Sequence, residues 1–106
     1  MALAEVSVEA SAAHVFTDHA AHLPIVAAII SRQGRNGLSI WIVLDGDRDG
    51  STRDAVYDLQ LATRLSFPDA VLGFSIVDIA EYPGTPLGSL VPLDDQTLYM
   101  RPGQVL

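Results

Sequence analysis

Asn36-Gly37 stands between two short apolar runs, IVAAIIS at residues 25–31 and LSIWIVLD at residues 38–45. Both runs are rich in β-branched residues. An Asn-Gly pair so placed is the strongest short-range signal for a β-hairpin, so two antiparallel strands are expected on either side of it. The second run constrains the fold further. Leu38, Ile40, Ile42 and Leu44 alternate onto one face, and Trp41 and Val43, with Ser39, fall on the other. A strand that is apolar on both faces needs cover on both.

The rest of the chain supplies that cover. Ser51-Thr52-Arg53-Asp54 reads as an S-x-x-D capping box and opens a helix that stops at Phe67, before Pro68. Val56, Leu59 and Ala62 form one apolar stripe on it; Tyr57, Leu61 and Leu65 form another. Residues 71–82 read as a third strand with a bulge at Gly73. A helix between the second and third strands makes them parallel, with a right-handed crossover. Upstream, the Ala-rich residues 11–22 read as a helix capped by Ser11 and ended by Pro24. In residues 1–10, Val6 and Val8 alternate with Glu5, Ser7 and Glu9, as in a short strand or an extended lead-in. Four of the six prolines fall from Pro83 onward, leaving room for one short edge strand at residues 97–101. The expected architecture is α+β: a small mixed sheet of three or four strands, hairpin then β-α-β crossover, with two helices packed on it. Residues 1–83 form this domain. Residues 84–106 are a Pro/Gly-rich arm packing on the same domain or on a partner subunit.

Composition removes several function classes. The formal net charge is −7, and the six basic residues are all scattered arginines: Arg32, Arg35, Arg48, Arg53, Arg64 and Arg101. Such a chain repels phosphate backbones, so nucleic acid is not an expected partner. Without lysine there is no Schiff base, and without cysteine there is no thiolate nucleophile, thiolate metal site or disulfide. The absence of cysteine, of a basic leader and of any long apolar run fits a cytoplasmic chain with no membrane span.

Asp45, Asp47 and Asp49 followed by Gly50 match the first half of an EF-hand calcium loop. The second half fails: Arg53 stands at the ninth position and Val56 at the twelfth, where a bidentate Glu is required. A calcium site would need a remote carboxylate, for which Asp94 and Asp95 are the available residues. The same residues serve as a turn and as acidic groups at a helix N-terminus. His14, Asp18 and His22 follow at i, i+4 and i+8, so neighbouring pairs can chelate. All three cannot share an ion, since eight helical residues span about 12 Å. No G-x-S-x-G elbow and no glycine-rich phosphate loop occurs. No cofactor is expected.

The order helix, strand, hairpin, strand, helix, strand is similar to that of the minimal nucleotidyltransferase core. In that family a Gly-Ser pair ends the first strand, and two aspartates one residue apart sit on the second. Here Ser31 follows Ile30, and Ser39, Trp41 and Val43 take the places where the aspartates are wanted. Asp45 and Asp47 have the separation but come at the strand end. The resemblance therefore implies a fold, or a degenerate relative, without a two-metal site.

The expected function is that of a non-enzymatic interaction or oligomerisation domain. The partner is a second copy or another protein, and Trp41, Tyr57, Leu61, Leu65, Leu98 and Tyr99 are the interface candidates. The alternative is a small ligand- or metal-binding domain with its site at the loop 45–49, where Arg48 or Arg53 would meet an anion.

Overall fold

The computed structural model describes residues 7–93 and 95–104 of the chain. Six main elements follow in order: α1 (Val8–Ala20), β1 (Val26–Gln33), β2 (Leu38–Leu44), α2 (Ser51–Ser66), β3 (Leu72–Asp78) and β4 (Gln96–Met100). The sheet order is β3-β2-β1-β4. β1 pairs antiparallel with β2 and with β4, and β2 pairs parallel with β3. The fold is α+β with a mixed four-stranded sheet and two helices, as the hairpin and crossover signals require.

Two apolar layers sandwich the sheet. On one face Ile29, Leu38, Ile40, Ile42 and Leu44 pack with Phe16 and Ala20 of α1 and Val56 of α2. The Phe16 ring lies 5.0 Å from that of Phe74, tilted by 50°. On the other face Ala28, Ile30 and Val43, with Trp41 beside them, pack under Leu87, Leu90, Val91 and Leu93. The arm after residue 83 therefore folds over the sheet of its own chain, and β4 continues that sheet. Leu87, Leu90, Val91 and Leu93 of the arm, with Ile79, cover that face of the sheet.

Several local expectations are corrected. α1 is capped by Ser7, whose hydroxyl accepts the Ala10 N–H at 3.1 Å, and Ser11 lies inside the helix. Val8 and Glu9 are helical, while residues 1–6 lie outside the described residues. The inward stripe of α2 carries Thr63, with Ala62 on the exposed side. β3 pairs with β2 in unbroken register past Gly73, so no bulge forms there. It ends at Asp78, whose carboxylate accepts the Ala80 N–H and turns the chain into a short 3-10 segment, Ile79–Glu81. The hairpin forms across Gly34 to Gly37, with Gln33 opposite Leu38. Neither Asn36 nor Gly37 has the positive φ of the tightest Asn-Gly turns. Ile25, by contrast, sits at φ 60°, a costly conformation for a β-branched residue. Its carbonyl accepts the Asp45 N–H at 3.0 Å, which ties the strained entry of β1 to the end of β2.

Candidate functional site

The loop between β2 and α2 holds the aspartates singled out above, and each is already engaged. Gly50 is the N-cap of α2 at φ 77°, a conformation that glycine adopts without strain, and no side chain of its own caps the helix. The turn it makes swings Asp47 beneath the first turn of α2. One Asp47 oxygen accepts the Thr52 N–H at 3.2 Å and the other the Arg53 N–H at 2.9 Å. Asp49 accepts the Ser51 N–H at 3.0 Å. That N–H, with the Ser51 hydroxyl, holds the Asp49 carboxyl below its usual value. Asp45 pairs with Arg101 at 2.5 Å, and Arg101 also donates to Gln104 at 2.7 Å.

The S-x-x-D capping box therefore does not form, and this corrects the role given to Ser51. Ser51 is the first helical residue, one position too late to cap, and the orphan N–H groups of the first turn are satisfied by Asp47 and Asp49. Asp47→Ala is expected to destabilise the fold by about 1–2 kcal/mol, as loss of a helix cap does. Ser51→Ala is expected to stay within about 0.5 kcal/mol, in the range of exposed substitutions. Urea unfolding of the two variants checks the pair; a larger loss in Ser51→Ala would place the cap back at residue 51.

The loop is anchored from below by Asp78. This residue is 5 % exposed at the end of β3. One oxygen accepts the Gly46 N–H at 2.9 Å and the Ala80 N–H at 3.0 Å, and the other accepts the Asp47 N–H at 2.9 Å. Burial works against its ionised form. The three N–H donors and the nearby charge of Arg53 outweigh that penalty, so its carboxyl is held below the ordinary range. Sequence reasoning assigns Asp78 no role. Its signal is faint: a lone aspartate at the end of an apolar strand, 32 residues from the glycine it binds.

His14, Asp18 and His22 are all exposed, and His22 lies beyond the end of α1, so the three share no helix stripe. Among the described residues no three His, Asp or Glu side chains converge as metal ligands. Asp94 lies outside the described residues, and Asp95 pairs with Arg32 at 3.3 Å. His14 instead borders a cleft of about 640 Å³ between α1 and the hairpin end of β1 and β4. Ala13, Leu38 and Leu98 supply apolar wall, and Ser31, Gln33 and Asp95 supply polar groups. Gln33 is spent on the hairpin, donating to the Gly34 and Gly37 carbonyls at 3.1 and 3.2 Å. No hydrogen bond joins Ser31 or Ser11 to His14 among the described residues.

The interface candidates divide. Trp41 is half-buried under the arm, and Leu98 and Tyr99 pack into the layer beneath the helices. Tyr57, Leu61 and Leu65 remain uncovered, 53 %, 59 % and 73 % exposed. Among the described residues no helix is long and apolar enough to cross a membrane. No family model matches the chain, and neither a curated protein nor a solved structure matches it.

Proposed function

We propose that this chain is a non-enzymatic interaction domain of the cytoplasm that self-associates through the outer face of α2. The observation that carries the reading is the uncovered row Tyr57, Leu61 and Leu65, three large apolar side chains at i, i+4 and i+8. Each is more than half exposed, and contiguous apolar surface of this kind marks contact sites. The loop 45–49 supports the same reading from the other side. Its carboxylates are engaged within the chain, Asp47 and Asp49 at the start of α2 and Asp45 with Arg101. Burying the row against a symmetry-related copy removes apolar area from water at about 25 cal/mol per Å².

Light scattering across a hundredfold dilution tests it. The expected mass is twice the 11.3 kDa of the chain at the concentrated end. Leu61→Asp, a change on an exposed position, is expected to weaken association at least tenfold and leave the melting temperature of the monomer unchanged. A chain that stays at monomer mass at every concentration overturns the proposal.

A further inference from the structure

Phe16, at the middle of α1, is fully buried and fills the space between helix and sheet. Nearer its N-terminus α1 turns only Ala13 and Ala10 to the hairpin end of the sheet, and β1 there offers Ser31. Small residues facing small residues leave that wedge unfilled, which accounts for the cleft of about 640 Å³. The volume falls among those of small-molecule sites, roughly 300–1,000 Å³. Ala13, Leu38 and Leu98 make its walls mainly apolar.

Ser31 is the polar group set deepest in it. Ile29 points into the layer beneath the helices, so Ser31, two residues further along β1, points the same way. The residue is 3 % exposed and borders the cleft, and its hydroxyl makes no hydrogen bond among the described residues. The buried side chains of Thr63 and Asp78 are bonded within the chain. Thr17 also buries a hydroxyl without a partner, but that residue does not line the cleft. Buried polar groups are as a rule satisfied, and a hydroxyl facing an open cleft is satisfied by what enters it.

The rim sets the charge of the entrant. No arginine lines the cleft, and the chain has no lysine. An anion would meet the Asp95 carboxylate there. A cation gains little, because Asp95 already pairs with Arg32 at 3.3 Å in an exposed ion pair. The amide nitrogen of Gln33 is bonded to the hairpin carbonyls, so only its oxygen is left, an acceptor. The polar group that fits is therefore uncharged and able to donate as well as accept.

We propose that the cleft between α1 and the hairpin end of the sheet binds an uncharged, mainly apolar small molecule carrying one hydroxyl group, an alcohol or a phenol, with that hydroxyl on Ser31. This site goes beyond the self-association reading and is independent of it, since none of Tyr57, Leu61 and Leu65 lines the cleft.

NMR titration of the whole chain with 2-naphthol, naphthalene and 2-naphthoate at neutral pH tests the proposal. A phenolic hydroxyl ionises near pH 10, so 2-naphthol enters uncharged. It is expected to shift the amides of Ala13, Ser31 and Leu98, and 2-naphthoate is expected to leave them in place. Ser31→Ala is expected to weaken 2-naphthol binding about three- to tenfold, the worth of one neutral hydrogen bond. The same variant is expected to change naphthalene binding less than twofold and not to lower the melting temperature, because the hydroxyl has no partner in the chain. Ala10→Leu, which fills the cleft from an exposed position of α1, is expected to weaken both neutral probes at least tenfold with the melting temperature kept. Equal 2-naphthol affinity in the wild type and Ser31→Ala overturns the proposal. So does 2-naphthoate or 2-naphthylmethylammonium binding more tightly than 2-naphthol. Shifts confined to Tyr57, Leu61 and Leu65 place the probes on α2 and overturn it as well, and no shift with any probe leaves the cleft a hydrated gap and overturns the site itself.

Discussion

Asp78→Ala is expected to lower the stability of the fold by about 3–4 kcal/mol, a large loss for a single polar group. Three N–H groups, of Gly46, Asp47 and Ala80, depend on its two oxygens. Each partly buried donor left without a partner costs about 1–3 kcal/mol, reduced where water can enter. The loss also spreads, because Asp47 is positioned by Asp78 and in turn caps α2. Asp78→Asn is expected to fall between the wild type and Ala. Its amide oxygen replaces one acceptor, and its NH₂ meets an N–H donor where the second oxygen stood. Denaturant midpoints for the three proteins, with unchanged m-values, check the order.

The same residue gives the fold an acid dependence. Its folded-state pKa lies below the unfolded value of about 3.9. Between the two values the unfolded chain binds more protons, so stability rises with pH across that window. The contribution of Asp78 is complete above the unfolded value and is lost as pH falls through the folded one. Asp78→Asn is expected to flatten the stability profile below about pH 4. A profile as steep as that of the wild type would assign the acid dependence to other carboxylates.

Gly37→Ala is the second large effect, expected at about 2–3 kcal/mol by overpacking. A Cβ on Gly37 would stand 2.5 Å from the Val71 carbonyl oxygen and under 3 Å from the Val71 side chain. That carbonyl accepts the Leu38 N–H, at the point where β2 and β3 first join. Relief therefore requires prising the two strands apart. Two controls separate this cause from a turn preference. Gly34→Ala meets only the Gly37 carbonyl, at 3.4 Å, and is expected to cost under about 1 kcal/mol. Trimming Val71 to Ala removes the Cγ1 contact and leaves the carbonyl in place, so it is not expected to rescue Gly37→Ala. Rescue in that double mutant would move the clash from backbone to side chain.

Gly37 also shows how far the sequence can be read. The Asn36-Gly37 pair announces a hairpin, and the hairpin is there. The glycine is required for a different reason: Val71, 34 residues further on, passes against it. Ser51 shows the same limit. Its spacing to Asp54 fits a capping box, but a cap needs a residue one position before the helix with its side chain turned back, and Gly50 takes that place. The carboxylates that serve instead reach the helix end only because the loop folds under it. The spacing of His14, Asp18 and His22 predicts one helix face, but α1 ends at Ala20, ahead of Pro24, and His22 falls outside it.

What the sequence determined by itself is whatever depends on neighbours along the chain. The period-two alternation of residues 38–44, the apolar period of residues 51–66, and the prolines at 24 and 68 act over a few residues, and from them follow two helices, the hairpin and the parallel crossover. The two apolar faces of β2 likewise required a second cover before its source was known. Tertiary structure alone decided what supplied it. The arm brings Leu87 and Val91 onto Trp41 and Val43, and so keeps Trp41 inside the chain, while Tyr57, Leu61 and Leu65 are left outside it. It also decided that Asp78 and Arg101 hold the loop 45–49, 31 to 56 residues away in sequence. Hydrogen bonds and apolar contacts are satisfied by whichever group arrives at about 3 to 4 Å, and that proximity is a property of the folded chain, which periodicity along the sequence does not encode.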